Sequence, residues 1–207
     1  LVGSYTVGGT ATAGSDYATL SGTATFDAGA ANTSVVVTPF SDNLAEGDET
    51  ISITLQPSAD YQIPASPTAA ITLKDTAAGS WLFGQFGAQA NDPQIAGWME
   101  DPDMDGLNNL QEMAYGTAAT AANPDPLMQD MAEVGGNRYL RLHVPKNPAL
   151  PGLIYEVQAT SDLGNPATWS GSGLVIEENS ATMLRVRDST PAAPGIARFM
   201  RSQVSLP

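Results

Sequence analysis

The sequence predicts a mainly β chain in which two antiparallel β-sandwich-like domains are joined by a short helical segment carrying a cation loop. Three observations predict it. Toward both ends, apolar and polar residues alternate in short runs separated by Gly, Asp, Asn and Pro, the period of half-buried antiparallel strands. Between them the alternation stops at WLFGQFGAQANDPQIAGWMED, a cluster of large apolar residues. Immediately afterwards comes DPDMDGLNNLQE, with a carboxylate at every second position of its first half. These changes divide the chain into 1–79, 80–122 and 123–207.

Composition narrows the function classes. The 207 residues carry 22 Asp and Glu against 8 Lys and Arg, a formal net charge of -14. Such a surface repels phosphate backbones and favours divalent cations, so no nucleic-acid partner is expected. There is no Cys, which removes disulfides, zinc thiolates and thiol nucleophiles together. No run approaches the roughly 20 apolar residues that span a bilayer. The 42% hydrophobic content with 20 Gly and 15 Pro suits a folded, turn-rich protein.

In the first segment, strands are expected at Leu1 to Val7, Gly22 to Phe26, Thr33 to Pro39, Thr50 to Leu55 and Ala69 to Leu73. Helical periodicity is absent, which makes an antiparallel sandwich the natural architecture. The stretches YTVGGTATAGSDY, SGTATFDAGAANTSVVVTPFSDNLAEGDETISITL and AAITLKD, in that order over Tyr5 to Asp75, resemble the Calx-β domain. The resemblance implies a Greek-key β-sandwich whose loops at one end hold calcium. By position it assigns that end to Asp16 in GSDY, Asp42 in SDN, Glu46 and Glu49 in EGDE and Asp75 in LKD, with the Leu44 carbonyl beside them. Ser41 and Asn43 stand where fuller sites carry Asp, and Thr76 and Ala77 follow Asp75 in place of further acids. Fewer carboxylates compensate less for dehydrating an ion, so a weak site, of one ion or none, is expected here. Alternatively, Glu46 and Glu49 accept loop amides and hold the corner of the sandwich. Calx-β members carry a strand before the one ending in YTVGGTA, and this chain opens inside that position. A trimmed fragment, an edge covered by another part of the chain, or a strand donated by a neighbouring copy each account for it. Donation would make the protein a filament subunit.

In the middle segment, short helices are expected on both sides of the loop. Leu107, Leu110, Met113 and Ala114 share one helical face, and Gly116 ends that helix. The loop fits the calcium template of helix-loop-helix proteins at each position. Asp101, Asp103 and Asp105 stand at positions 1, 3 and 5, Gly106 at the sharp turn, Leu107 for a backbone carbonyl, Asn109 at position 9 and Glu112 at position 12. A hard cation takes about six to eight oxygens, so short carboxylates must alternate inward and a longer Glu must close the shell from a helix. The plainer alternative is a solvated acidic turn. DPDMDGLNNLQEMAYGT is similar to the DPDGDGLSNLLEYALGTDP linkers of secreted bacterial proteins, relatives of dockerin and thrombospondin type 3 calcium repeats. With one copy between two β domains, the resemblance implies a calcium-set joint that stiffens an acidic linker.

In the last segment, strands are expected at Tyr139 to Val144, Ile154 to Thr160, Leu174 to Glu178, Met183 to Arg187 and Phe199 to Val204, enough for a small sandwich or open barrel. YEVQATSDLGNPATW and ARFMRSQVSLP are similar to a carboxy-terminal β module of exported Verrucomicrobia and Planctomycetes proteins. Trp169 reads as a core anchor just after a turn. The single His, His143, lies in a strand pattern, and neither a GxSxG elbow nor a phosphate loop is present, so catalysis is not expected.

Two readings follow. In the first, the chain is a calcium-binding structural or adhesive module of a secreted or cell-surface bacterial protein, partnered by copies of itself or by further domains. In the second, it is an accessory region that binds polysaccharide for a larger extracellular enzyme; a line of exposed aromatics on one sheet would favour it.

Overall fold

A computed structural model describes residues 1–42 and 44–206. Asn43, read above as a substituted acid position, lies outside the described residues. The chain folds as two compact units, Leu1–Gly84 and Gln85–Pro207. It is mainly β, with antiparallel sheets and short helices.

Unit 1 is built on β1 (Val2–Gly9), β2 (Thr23–Thr25), β3 (Glu49–Leu55) and β4 (Thr68–Leu73), in the order β2-β1-β3-β4. Alternation places Tyr5 opposite Leu55 and Ile51 opposite Ile71 on one face. Tyr5 and Ile51 are buried there together with Tyr17 and Ala45 from the loops, but Ile71 keeps 47% of its surface. The core of this unit is thin.

The strand expected from Thr33 to Pro39 does not form. Pro39 makes a single bridge to Tyr17, the Ala18 N–H reaches the Thr38 carbonyl at 2.9 Å, and Val36 is 74% exposed. Proline has no N–H with which to continue a ladder, and a run without a partner along its length stays irregular however well it alternates. After β4, Thr76 starts α1 (Ala77–Phe86): its hydroxyl accepts from the Gly79 N–H and its carbonyl from the Ser80 N–H, at 2.9 and 2.8 Å. Trp81, Phe83 and Phe86 of the apolar cluster lie on this helix.

Unit 2 contains α2 (Asn109–Tyr115), β5 (Met128–Val134), β6 (Asn137–Pro145), β7 (Ile154–Thr160), β8 (Leu174–Asn179), β9 (Met183–Pro191) and β10 (Phe199–Ser205). One sheet runs β5-β6-β9-β8 and a second pairs β7 with β10. Leu142 and Val144 of β6, Leu184 and Val186 of β9, Val157 and Ala159 of β7 and Met200 of β10 fill the space between them. Leu107, Ala114 and Tyr115 join the same core. The segment read as a linker over 80–122 is therefore divided at Gly84, and the acidic loop with its helix is part of the second unit. Strand β5 goes beyond the sequence expectation. Its MQDMAEV run buries one apolar residue, Ala132, and it pairs with β6 through the Gly135-Gly136 hairpin. No helix among the described residues is long and apolar enough to cross a membrane.

Candidate metal centres

In unit 2, α2 positions the last carboxylate of the loop. The Asn108 side chain accepts from the Gln111 N–H and the Gln111 side chain accepts from the Asn108 N–H, both at 3.0 Å. This reciprocal cap fixes where the helix begins, and Gly116 ends it with a left-handed φ of 80°. Glu112 lies on the buried side of the helix, at 0% exposure.

Ahead of the helix, the loop holds one oxygen of each aspartate. Asp101 Oδ2 accepts from the Gly106 N–H (3.0 Å), Asp103 Oδ1 from the Asp105 N–H (3.2 Å) and Asp105 Oδ1 from the Leu107 N–H (2.9 Å). Gly106 makes the reversal at a φ of 96°, a conformation that favours a residue without Cβ. Each of the three aspartates places a carboxylate oxygen within 4.8 Å of the others. Asp101 Oδ1, Asp103 Oδ2 and both Glu112 oxygens are buried with no hydrogen-bond partner among the described residues. Burial first, then the charges of Asp103, Asp105 and Asp101, push the Glu112 carboxyl up to about 8.

The remaining template positions are placed as follows. Leu107 puts its side chain into the core. Asn109 is fully buried, and its side-chain NH2 donates to the Ile95 and Gly97 carbonyls. Two features were not legible from the motif. The Asn123 N–H donates to Asp105 Oδ2 at 2.8 Å, and the Asn123 side chain holds the Ala118 and Ala121 carbonyls; the Asn-Pro pair at 123–124 is the one local signal, and it marks only a turn. Met104, 87% exposed, has a φ of 62°, where the similar linkers carry Gly.

In unit 1, three of the five expected acids converge: Asp16, Glu46 and Glu49 bring oxygens within 4.8 Å of one another. Asp16 is set by the Thr12 N–H on its Oδ2 and by the Phe40 N–H on its carbonyl. Burial, then Asp16, Asp42 and Asp75, raise the Glu46 carboxyl; burial, then a hydrogen bond with Asp16 and the surrounding charges, raise that of Glu49. Asp42 stands at the margin, its Oδ1 accepting from the Leu44 N–H at 3.0 Å. Asp75 organises the loop instead: Oδ2 accepts the N–H groups of Glu46 and Gly47 (3.1 Å each), and Oδ1 that of Thr76. The amide-accepting role considered above for Glu46 and Glu49 thus falls to Asp75.

A β-sheet unit with carboxylates gathered on the loops at one end is the arrangement that decides the comparison. Residues 1–77 match the Calx-beta domain family. Calx-beta is a non-enzymatic, calcium-binding module of β-sandwich type, and the match covers the acidic end of unit 1 while leaving unit 2 outside it. No curated protein and no solved structure matches the chain.

In unit 2, Trp169 is half-buried rather than fully enclosed, and the Arg201 guanidinium lies over its ring at 4.4 Å. Arg187 lies over Tyr139 at 4.5 Å and Lys146 over Tyr155 at 5.3 Å. His143 faces Arg185 through Nδ1 (3.3 Å) and Asp130 through Nε2 (3.2 Å). Hydrogen bonds from Arg141 hold the Asp130 carboxyl down at about 2. The Arg187–Tyr139, Arg185–His143 and Arg141–Asp130 pairs tie neighbouring strands of the four-stranded sheet together.

Proposed function

We propose that this chain is a non-catalytic, calcium-binding structural module of a secreted or cell-surface protein, with its principal ion held by Asp101, Asp103, Asp105 and Glu112. One observation carries the reading: Glu112 is wholly buried, neither of its oxygens has a partner among the described residues, and the charges of three clustered aspartates bear on it. An ionised carboxylate buried without a counter-charge costs several kcal/mol. A proton relieves that cost for one group only, whereas a divalent cation relieves it for all four. The donor set is all oxygen, as a hard ion requires, and Asp101 and Asp103 each keep one oxygen off the loop amides.

Calcium supplies charge and coordination at this site. Because Glu112 precedes the core residues Ala114 and Tyr115 on α2, binding draws the helix onto the sheets of unit 2. The Asp16, Glu46 and Glu49 cluster is the second and weaker site, since its members keep more contact with solvent. A chain without Cys that relies on calcium suits the extracellular space, where the ion is abundant. Self-association belongs to the same reading and is supported by β4, which among the described residues pairs with β3 alone and carries the half-exposed Ile71. The polysaccharide reading finds less support, because Tyr139, Tyr155 and Trp169 each already carry a cation over the ring.

Thermal melting in calcium and in chelator tests the proposal, with an Asp103→Ala, Glu112→Ala double variant alongside. Calcium raises the melting temperature of the parent, and the double variant loses that gain for unit 2. A parent indifferent to calcium would sink the reading; a shift that survives intact in the double variant would move the principal ion to the Calx-beta end.

A further inference from the structure

We propose that Asn109 is a positioning residue of the calcium site: its side-chain NH2, locked between two backbone carbonyls, sets where α2 begins and so where Glu112 meets the three aspartates. This rests on the calcium reading given above and adds to it.

At the ninth loop position a side chain serves the ion, often through a water, and on charge alone an aspartate would do so at least as well as an asparagine. The surroundings here select the amide. Nδ2 donates to the Ile95 and Gly97 carbonyls, 2.8 Å each. The Asn109 main-chain N–H donates to the Glu100 carbonyl at 2.9 Å, and the Leu110 N–H to that of Trp98 at 3.1 Å. The chain entering the loop and the helix leaving it are thus clasped at the neck by four hydrogen bonds, all donated from the first two residues of α2. These residues belong to the first helical turn, whose N–H groups have no partner inside the helix. A carboxylate at position 109 would set oxygen against two carbonyl oxygens with no proton between them.

The clasp also fixes the ligand geometry. Glu112 stands three residues further along the same helix, on the adjoining part of its surface. A slide or rotation of the first turn therefore carries the Glu112 carboxylate away from Asp101, Asp103 and Asp105. The carbonyls that receive the amide come from a turn with no slack, since a Cβ on Gly97 would lie 2.3 Å from the Pro93 carbonyl oxygen.

Calcium titration calorimetry on the full chain, with amide hydrogen exchange read residue by residue, tests this on the parent, Asn109→Asp and Gly97→Ala. Asn109→Asp is expected to bind calcium on the order of 10- to 100-fold more weakly despite its added carboxylate, the range typical of lost supporting contacts around a metal. Gly97→Ala, which changes no candidate ligand, weakens binding in the same direction. In both, the Asn109 and Leu110 backbone amides lose protection while those of β6 and β9 keep it. Parent-like or tighter binding by Asn109→Asp overturns the proposal. Should that variant not fold, Gly97→Ala decides, and unchanged affinity together with lost protection at Asn109 and Leu110 overturns it. So does a calcium-loaded parent in which those two amides exchange freely. A parent that binds no calcium at this loop refutes the calcium reading itself, a result distinct from a parent that binds beside an Asn109→Asp that binds equally well.

Discussion

In unit 2 the Glu112 carboxylate rides on a helix whose neighbouring residues, Ala114 and Tyr115, are core. In unit 1 the corresponding acids, Glu46 and Glu49, sit on a loop and at the start of β3, above a core of a few residues, and the loop is tied down by Asp75. The ligand chemistry is nearly the same. The support differs, and it decides what an ion can do. Where a ligand is buried and otherwise unpartnered, ion binding and folding share one free energy; where the ligands are held by other bonds and partly solvated, the ion adds to a structure that already stands.

The strongest way to break this comparison is Glu112→Gln. We expect it to abolish the calcium stabilisation of unit 2, about 2.7 kcal/mol when calcium stands at about 100 times its dissociation constant. In chelator near neutral pH the same variant should match or exceed the parent, because it removes an acid that burial disfavours in its charged form. Hydrogen exchange in β6 and β9 measures both effects. Glu49→Gln should leave those strands unchanged and alter only β1 and β3. Equal losses in the two units would erase the distinction.

The chelated protein should also show a pH dependence opposite in sign to that of the calcium-loaded one. Glu112 has a folded value of about 8 against an ordinary value of 4.5. Between those values the folded chain keeps a proton that the unfolded chain has lost. Its contribution to stability is therefore fully present below about 4.5 and disappears as pH rises through about 8. Asp130, held down at about 2, acts only below the ordinary carboxylate range and leaves this window clear. Chelated unit 2 should then melt at a higher temperature at pH 5 than at pH 8. Calcium should reverse the slope, since the ion takes the ionised form. A flat profile in chelator would count against the burial of Glu112.

In unit 1, Asp75→Ala should cost about 1–2 kcal/mol, because the Glu46, Gly47 and Thr76 amides lose their acceptor. Calorimetric unfolding monitored in β1 and β3 checks it, and an unchanged midpoint would show that the loop is held by other means. The smallest effect is Met104→Gly. A non-glycine residue at a positive φ carries a backbone penalty of about 1 kcal/mol, and the exposed Met104 side chain has little packing to lose. Unit 2 should gain up to about 1 kcal/mol in its unfolding midpoint, with calcium affinity kept.

Short-range features were legible in the sequence. The carboxylate spacing of the loop, the Gly116 stop and the strands β6, β7 and β9 are each written within a dozen residues, where periodicity and turn chemistry operate. Strand β5 escaped because MQDMAEV has no clean alternation, although Gly135-Gly136 before Asn137 was a hairpin signal. The run from Thr33 to Pro39 misled for the opposite reason, alternating without a partner. The structural side of the loop was not legible at all. What Asn109 holds lies at Ile95 and Gly97, what Asp105 holds lies at Asn123, and Ala114 and Tyr115, which seat the Glu112 helix, pack with strands that follow it in the chain. Spacing names the candidate ligands; tertiary packing decides how they are held.

The clasp at the neck of the loop also bears on the order in which unit 2 assembles. Its bonds from Asn109 and Leu110 to Glu100 and Trp98 close only a short stretch of chain, at little cost in chain entropy. The pairing of β7 with β10, by contrast, closes a loop that contains all of β8 and β9, at a greater cost in chain entropy. Because loop amides hold one oxygen each of Asp101, Asp103 and Asp105, we expect calcium to reach these three aspartates before the sandwich, and with it the burial of Glu112, is complete. Calcium present during refolding should then speed the refolding of unit 2 and leave its unfolding rate almost unchanged, as for any contact already made at the transition state.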